Sequence, residues 1–189
     1  MKVVPLLRLI KKQSKVLNDI YSDKKLFVEE LSASYIKGVG AEAVILDHDG
    51  ILSPARAKLP DDTGLRLIDE LIEGFGADKV FILSNTRTRR NERFQYFEEV
   101  YPDLDYLVAN RKPDGEGLEM ASRASGVPRE KIAMVDDGLT TGILMAVEHG
   151  AIPLYAVRRS LDESFSAKLV RLATTVPQIV LVKMSQFFK

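Results

Sequence analysis

Two acidic residues, one position apart, follow a short apolar run in the stretch AVILDHDGIL, which covers residues 43–52. The apolar run has the length and composition of a buried strand, and Asp47 and Asp49 stand at its end. In an extended chain, residues two positions apart point to the same side, so both carboxylates can face one pocket while His48 faces away. Because charges near a core are costly unless they are compensated, the pattern predicts a cation or a catalytic role at this point.

The chemistry that suits this acidic pair is phosphoryl transfer. Asp47 would attack phosphorus and form an aspartyl-phosphate, and Asp49 would protonate the leaving oxygen and then activate water. The alternative is a simple turn, because Asp and Gly often begin loops and Gly50 follows the pair directly. The pair by itself is compatible with both interpretations.

A second acidic pair, Asp136-Asp137, ends another short apolar run, KIAMVDD. Carboxylates that lie close together repel unless a cation sits between them, and hard oxygen ligands suit Mg²⁺. The alternative for this second pair is N-capping of the following helix. The predicted magnesium-binding residues are Asp47, Asp49, Asp136 and Asp137.

Two further polar residues follow apolar runs elsewhere in the chain. Ser84 ends the run KVFILS, and its hydroxyl would bind a phosphoryl oxygen, helped by backbone N–H groups at the next helix start. Lys112 comes shortly after the run DYLVA and would neutralise charge on the phosphate and the nucleophile. The alternatives are helix capping for Ser84 and a solvent-exposed loop for Lys112.

The segment after Ser84 is rich in arginine. We predict Asn85 and Arg87 as substrate-binding residues, because they follow the phosphate-binding hydroxyl and Arg87 can contact an anionic substrate. The alternative is a solvated helix face on which arginines pair with glutamates. That alternative involves Arg87, Arg89, Arg90 and Arg93 with Glu92, Glu98 and Glu99.

These side chains need a scaffold that brings strand ends together. Short runs rich in Val and Ile alternate with segments of helical spacing, which predicts an α/β fold. The fold would be a doubly wound, mainly parallel, Rossmann-like sheet with helices on both faces, and its ligands would bind outside the carboxyl ends of the strands. The predicted strands are AVILD (43–47), KVFILS (79–84), DYLVA (105–109), KIAMVDD (131–137) and AIPLYAV (151–157).

The composition limits the classes of function. Of 189 residues, 46% are apolar, and 27 basic residues balance 27 acidic ones, which argues against general nucleic-acid binding. The chain has no cysteine, so disulfides and thiolate metal sites are excluded. No apolar run reaches the roughly 18 residues that span a bilayer, and no signal peptide is predicted, so we expect a cytoplasmic protein.

Two terminal segments flank the predicted catalytic core of residues 39–160. A helical arm (1–38) has one broad apolar face and a basic start, and it would either pack on the core or lie peripherally on an anionic membrane. A C-terminal helix and an apolar, basic tail (161–189) would complete the same domain. The tail PQIVLVKMSQFFK would form an edge strand, a homodimer contact or a lipid contact.

The four motifs, taken together and in this order, resemble those of the haloacid dehalogenase-like superfamily over about residues 40–157. The resemblance implies a Rossmann-like fold, Mg²⁺ and, in most members, an aspartyl-phosphate intermediate. The residues that carry it are the DHDG stretch, Ser84, Lys112-Pro113 and Asp136-Asp137.

The same resemblance implies a role for each motif. Asp47 resembles the nucleophile, and Asp49 resembles the acid/base, whose backbone carbonyl is also a metal ligand in the family. Ser84 matches the phosphate-binding hydroxyl, and Lys112 matches the stabilising lysine. The acidic pair of the last motif matches the metal-binding acids.

The spacing of the motifs is similar to that of members without a cap domain. Neither the 35 positions from Asp49 to Ser84 nor the 28 from Ser84 to Lys112 can hold a cap, so the site would be open to large or membrane-presented substrates. SYIKGVGAEAVILD and SNTRTRRNERF resemble the capless branch that contains phosphatidylglycerophosphate phosphatases. Two residues depart from the pattern, because Ile51 replaces a common Thr or Val and Thr141 replaces a second downstream Asp.

Three functions are compatible with these residues. The first is a Mg²⁺-dependent phosphomonoesterase acting on a lipid, sugar, nucleotide or protein phosphate. The second is a receiver-type phosphoacceptor module, in which, however, the acidic metal pair comes first and the phosphorylated Asp comes in mid-chain. The third is a non-catalytic binding or regulatory protein, against which the intact DxD, Ser84 and Lys112 argue. The order of the motifs favours the phosphatase.

Overall fold

The structure is a computed structural model that describes residues 3–23, 26–54, 57–85, 92–159 and 165–185. Its strands are β1 (Leu26–Phe27), β2 (Ala43–Asp47), β3 (Val80–Leu83), β4 (Asp105–Leu107), β5 (Ile132–Asp136) and β6 (Ile152–Val157). Its helices are α1 (Val3–Ser22), α2 (Ala33–Gly38), α3 (Asp62–Phe75), α4 (Glu92–Val100), α5 (Glu116–Ser125), α6 (Gly142–His149) and α7 (Phe165–Ser185).

The six strands form one parallel sheet in the order β1-β6-β5-β2-β3-β4. All five predicted strands are present, and β1, which the sequence analysis did not predict, pairs with β6 at one edge. The predicted α/β fold with a doubly wound sheet is therefore confirmed. The described residues that join β2 to β3 and β3 to β4 contain one α-helix each, α3 and α4, and no cap domain.

Both faces of the sheet are covered by helices. Val44 and Leu46 of β2 share a core with residues of α3 and α4, whereas Ala43 and Ile45 share the opposite core with residues of α5 and α6. All four side chains are fully buried. Burial on both faces explains why the strands are continuous apolar runs without polar alternation.

The helices α1 and α7 pack outside α6. Ile10 and Leu17 of α1 are buried together with Leu144 of α6 and Val182 of α7. The edge-strand alternative for the tail is wrong for residues 177–185, which belong to α7, and residues 186–189 lie outside the described part of the chain. No helix of the described residues is both long and apolar enough to cross a membrane.

The loop between β2 and α3 is tied to the end of β6. Asp61 is the N-cap of α3 and accepts the backbone N–H of Gly64 at 3.0 Å. Arg158 donates to both carboxylate oxygens of Asp61, at 2.5 and 2.8 Å, and to the carbonyl of Ile51 at 2.8 Å. The guanidinium of Arg158 therefore fixes the loop that also carries Asp49.

Replacing Arg158 by Gln should lower the free energy of unfolding by about 2–3 kcal/mol, because losing one partner of a buried ion pair leaves the other uncompensated. The loss is smaller than for a fully enclosed pair, since the Asp61 side chain is 38% exposed. Arg159→Gln is the matched control, because Arg159 pairs with Glu30 at the surface and should contribute less than about 1 kcal/mol. Urea denaturation compares the variants, and equal losses would contradict this role of Arg158.

Candidate active site

The ends of β2 and β5 carry two acids that share one lysine. Asp47 is the last residue of β2, and Asp136 is the last residue of the neighbouring strand β5. The Lys112 Nζ lies 2.5 Å from Asp47 Oδ1 and 2.7 Å from Asp136 Oδ2. All three residues are buried, so the alternative of a solvent-exposed loop is wrong for Lys112.

The carboxylate of Asp136 is held by the segment that begins α6. Its Oδ1 accepts the backbone N–H of Gly138 at 2.6 Å, and its Oδ2 accepts that of Gly142 at 3.1 Å. A Cβ atom at Gly142 would lie 2.1 Å from the same Oδ2, so only glycine allows this approach. Asp136 therefore holds the start of the helix and also belongs to the site.

A third acid completes a group that fits a divalent ion. Asp47, Asp136 and Asp137 each place a carboxylate oxygen within 4.8 Å of the others. Clustered hard oxygen atoms of this kind suit Mg²⁺. Asp137 lies directly against Gly50, where an added Cβ would be 2.3 Å from Asp137 Oδ2 and where φ is +90°. The glycine of the first motif thus makes room for the third acid.

The electrostatics of the group favour an added cation. Burial raises the pKa of Asp47 well above its ordinary value; Lys112 lowers this pKa, and the charges of Asp136 and Asp137 raise it again. Burial also opposes the charge of Lys112, but attraction to Asp136 and Asp47 outweighs burial and raises the pKa of Lys112. A divalent ion would stabilise the ionised carboxylates that lysine alone does not neutralise.

The carboxylate of Asp49 contacts a different partner, Arg93 of α4. The two terminal nitrogens of Arg93 donate to the two oxygens of Asp49, each at 2.8 Å, and Nη2 also donates to the carbonyl of Ala57 at 2.7 Å. The solvated-face alternative is wrong for Arg93, whose side chain is 15% exposed, and Glu92 pairs with Lys58 instead. The Asp49 carboxylate lies outside the three-acid group, so its role as a ligand stays a prediction.

Ser84 and Asn85 follow β3 at the carboxyl ends of the strands, where Asp47 and Asp136 also lie. Ser84 is buried, with its Oγ 3.5 Å from Arg93 Nη1. Asn85 Oδ1 accepts the backbone N–H of Lys112 at 3.0 Å, so this side chain fixes the loop that carries the lysine. The predicted substrate contact of Arg87 lies outside the described residues, as do Arg89 and Arg90.

The histidine between the two acids is buried on the other side of the strand end. His48 packs edge-on against Phe97, and its Nδ1 lies 3.0 Å from Ser53 Oγ. Within the described residues, His48 Nε2 has no hydrogen-bond partner. Burial, and then repulsion from Arg93, lower the pKa of His48 to about 4, so the ring is neutral at pH 7.

The two departures from the motif pattern occupy structural positions. Ile51 is buried in the core, and its carbonyl accepts hydrogen bonds from Arg158. The Thr141 hydroxyl donates to the carbonyl of Gly138 at 3.2 Å, inside the turn before α6. The third acid of the group is Asp137.

Sequence reasoning missed the roles of two arginines. Arg93 lies 44 positions from Asp49, and Arg158 lies 97 positions from Asp61, so no local pattern joins either pair. One signal was present for Arg93, which occupies the first turn of α4, where the helix dipole disfavours a cation. An unfavourable placement of this kind indicates that another group compensates the charge.

Comparisons with known proteins place the chain among hydrolases. The sequence profile of the haloacid dehalogenase-like hydrolase family matches residues 10–150. No curated protein matches the sequence. The crystal structure of an uncharacterised protein from Corynebacterium glutamicum is similar, with a TM-score of 0.49 and 20% identity, over 76% of this chain and 96% of that chain.

Addition of Mg²⁺ should raise the melting temperature, because an ion that binds only the folded state stabilises it. Asp137→Asn should remove most of this increase, since one of three carboxylates is lost while the contacts of Lys112 are kept. Asp103→Asn is the control, because Asp103 is exposed and precedes β4. It therefore lies at the amino ends of the strands, away from the site at their carboxyl ends. An unchanged Mg²⁺ response in Asp137→Asn, measured by scanning fluorimetry, would contradict the assignment.

The burial of His48 should make folding stability depend on pH. Its pKa of about 4 lies below the unfolded value of 6.5, so the unfolded chain binds the proton more tightly. Stability should therefore be complete above pH 6.5 and fall as the pH drops towards 4, by at most about 1.4 kcal/mol per pH unit. His48→Asn cannot titrate and should lose this part of the slope. Urea denaturation between pH 4 and 7 measures the free energy of unfolding of wild type and of His48→Asn. If this free energy changes equally with pH in both proteins, His48 is not the titrating group.

Proposed function

The chain belongs to the haloacid dehalogenase-like hydrolase family, and from this premise we propose that it is a Mg²⁺-dependent phosphomonoesterase with an aspartyl-phosphate intermediate. The observation that carries the proposal is the Lys112 ammonium group between Asp47 and Asp136, beside the third acid Asp137. This arrangement offers a nucleophile, a fixed positive charge and ligands for a divalent ion at one sheet edge.

Asp47 is oriented for attack on phosphorus. Lys112 holds Oδ1, and Asp47 Oδ2 accepts no hydrogen bond within the described part of the chain. The Oδ2 atom would form a bond to phosphorus while the bond from phosphorus to the leaving oxygen breaks. Lys112 and the hydroxyl of Ser84 would stabilise the phosphoryl oxygens. A Mg²⁺ ion held by Asp47, Asp136 and Asp137 would add positive charge at the same place.

Asp49 supplies the proton transfers of the proposed reaction. In the first step the protonated form of Asp49 would give its proton to the leaving oxygen, which leaves the Asp49 carboxylate. In the second step it would take a proton from the water that attacks the aspartyl-phosphate, which releases inorganic phosphate and restores Asp47. The two hydrogen bonds from Arg93 keep the Asp49 carboxylate in one orientation at the mouth of the site, where its side chain is 43% exposed.

We further propose that the substrate is a bulky phosphate, such as a lipid or protein phosphate. In the described chain, single α-helices join β2 to β3 and β3 to β4, so no domain in these segments covers the carboxyl edge of the sheet. An uncovered site can accept a phosphate whose remaining bulk stays outside the protein. The resemblance to the capless branch that contains phosphatidylglycerophosphate phosphatases supports the same class.

Phosphate release should require both the metal and Asp47. We expect activity on at least one of four substrate classes, namely lipid, sugar, nucleotide and protein phosphates, with Mg²⁺ and none with EDTA. Asp47→Asn should lower kcat at least 10³-fold, because the nucleophile is lost. Asp49→Asn should lower kcat about 10²–10⁴-fold, since general acid/base catalysis is lost.

The control for these variants is Asp103→Asn, which changes an exposed carboxylate outside the site and should leave kcat unchanged. Rapid acid quenching of wild type with ³²P-labelled substrate should trap phosphate on the protein. Hydrolysis by Asp47→Asn at the wild-type rate would show that the nucleophile is a different group.

A further inference from the structure

The guanidinium group of Arg93 has four terminal N–H groups, and three of them have short contacts. Each terminal nitrogen of arginine carries two hydrogens. Nη2 donates to Asp49 Oδ1 at 2.8 Å and to the carbonyl of Ala57 at 2.7 Å, so both of its hydrogens are used. Nη1 donates to Asp49 Oδ2 at 2.8 Å, which leaves one hydrogen.

The fourth N–H of Arg93 is directed at Ser84, the candidate phosphate-binding residue. Its contact is Ser84 Oγ at 3.5 Å, longer than the roughly 2.7–3.2 Å of an ordinary N–H···O hydrogen bond. The Arg93 side chain is only 15% exposed, so water has little access to this donor. A charged donor that is mostly buried and makes only a long contact is available to an acceptor placed closer to it.

We propose that Arg93 is a substrate-binding residue, which holds Asp49 and donates its fourth terminal N–H to an oxygen of the phosphoryl group bound beside Ser84. The inference rests on the proposed function and adds a residue that the motifs do not include. Three short hydrogen bonds fix the guanidinium, so the fourth N–H needs little rearrangement to meet the ligand.

The charges of the site support a second cation on the phosphoryl group. The charge of Lys112 is already shared between Asp47 and Asp136, at 2.5 and 2.7 Å. A phosphoryl group beside these carboxylates therefore needs more positive charge than Lys112 provides. The planar guanidinium can donate to a carboxylate and a phosphate oxygen at once, which an ammonium group on the same helix position cannot reproduce.

The contacts of Arg93 also explain why a cation occupies the first turn of α4. A cation in the first turn of a helix is disfavoured by the helix dipole. The ion pair with Asp49 offsets this cost in the free protein. Contact with a phosphoryl oxygen would give the same cation a function that an acidic or neutral residue at this position would lack.

Binding of inorganic phosphate in the presence of Mg²⁺, measured by isothermal titration calorimetry, tests the proposal without turnover. Arg93→Gln should weaken phosphate binding at least 10-fold, because a hydrogen bond from a charged donor is lost. Arg93→Lys should fall between Arg93→Gln and wild type, since it keeps the charge but not the fork. Arg66→Gln is the matched control, because Arg66 pairs with Glu70 on the exposed face of α3 and should bind phosphate as wild type does.

Phosphate affinity of Arg93→Gln within twofold of wild type would overturn the proposal, even if kcat falls, because Arg93 would then act on Asp49 alone. If thermal melts show that Arg93→Gln does not fold, phosphate binding is measured on Arg93→Lys instead. Wild-type phosphate affinity in Arg93→Lys would overturn the proposal that the guanidinium group of Arg93 binds phosphate. Failure of the proposed function can be distinguished from failure of the Arg93 proposal. Full activity of Asp47→Asn would refute the nucleophile, while the phosphate titration would still report on Arg93.

Discussion

The ammonium group of Lys112 allows two carboxylates to be buried side by side at the ends of β2 and β5. Without it, Asp47 and Asp136 would repel each other in a region that excludes water. The lysine reaches them from the loop after β4, and β3 lies between β4 and β2 in the sheet. Asn85, just after β3, holds the backbone of Lys112 and so spans that gap. The site therefore depends on the order of strands in space, which differs from their order in the chain.

The sequence predicted the sheet and much of the site for one physical reason. Strands buried on both faces must be apolar throughout, so a polar residue marks the point where such a strand ends. Asp47 and Asp136 end their strands, and Ser84 follows β3 directly. Because the carboxyl ends of parallel strands share one edge, recognising each strand end was enough to place these side chains together. Lys112 lies farther from its strand, so the sequence left a solvent-exposed loop open, and only the contacts with Asp47 and Asp136 explain its burial.

Other features could not be predicted because they depend on contacts between distant segments. Arg93 and Arg158 bind Asp49 and Asp61 across 44 and 97 positions, and the sequence around each arginine is that of an ordinary charged surface. Strand β1 has only two residues, too few for any periodicity to appear. The stretch 177–185 is apolar and basic, and a short apolar run of this kind fits a strand or a helix equally well until its packing partners are known.

The balance of charge links the separate parts of the site. Asp49 and Arg93 form a neutral pair, while a single ammonium group, that of Lys112, contacts the carboxylates of both Asp47 and Asp136. A divalent ion held by Asp47, Asp136 and Asp137 would bring the carboxylates at these strand ends closer to neutrality. Neutrality alone does not attract a phosphoryl dianion. In the proposed reaction the attraction would come from donors whose direction is fixed in advance, namely Lys112, the hydroxyl of Ser84 and the remaining N–H of Arg93.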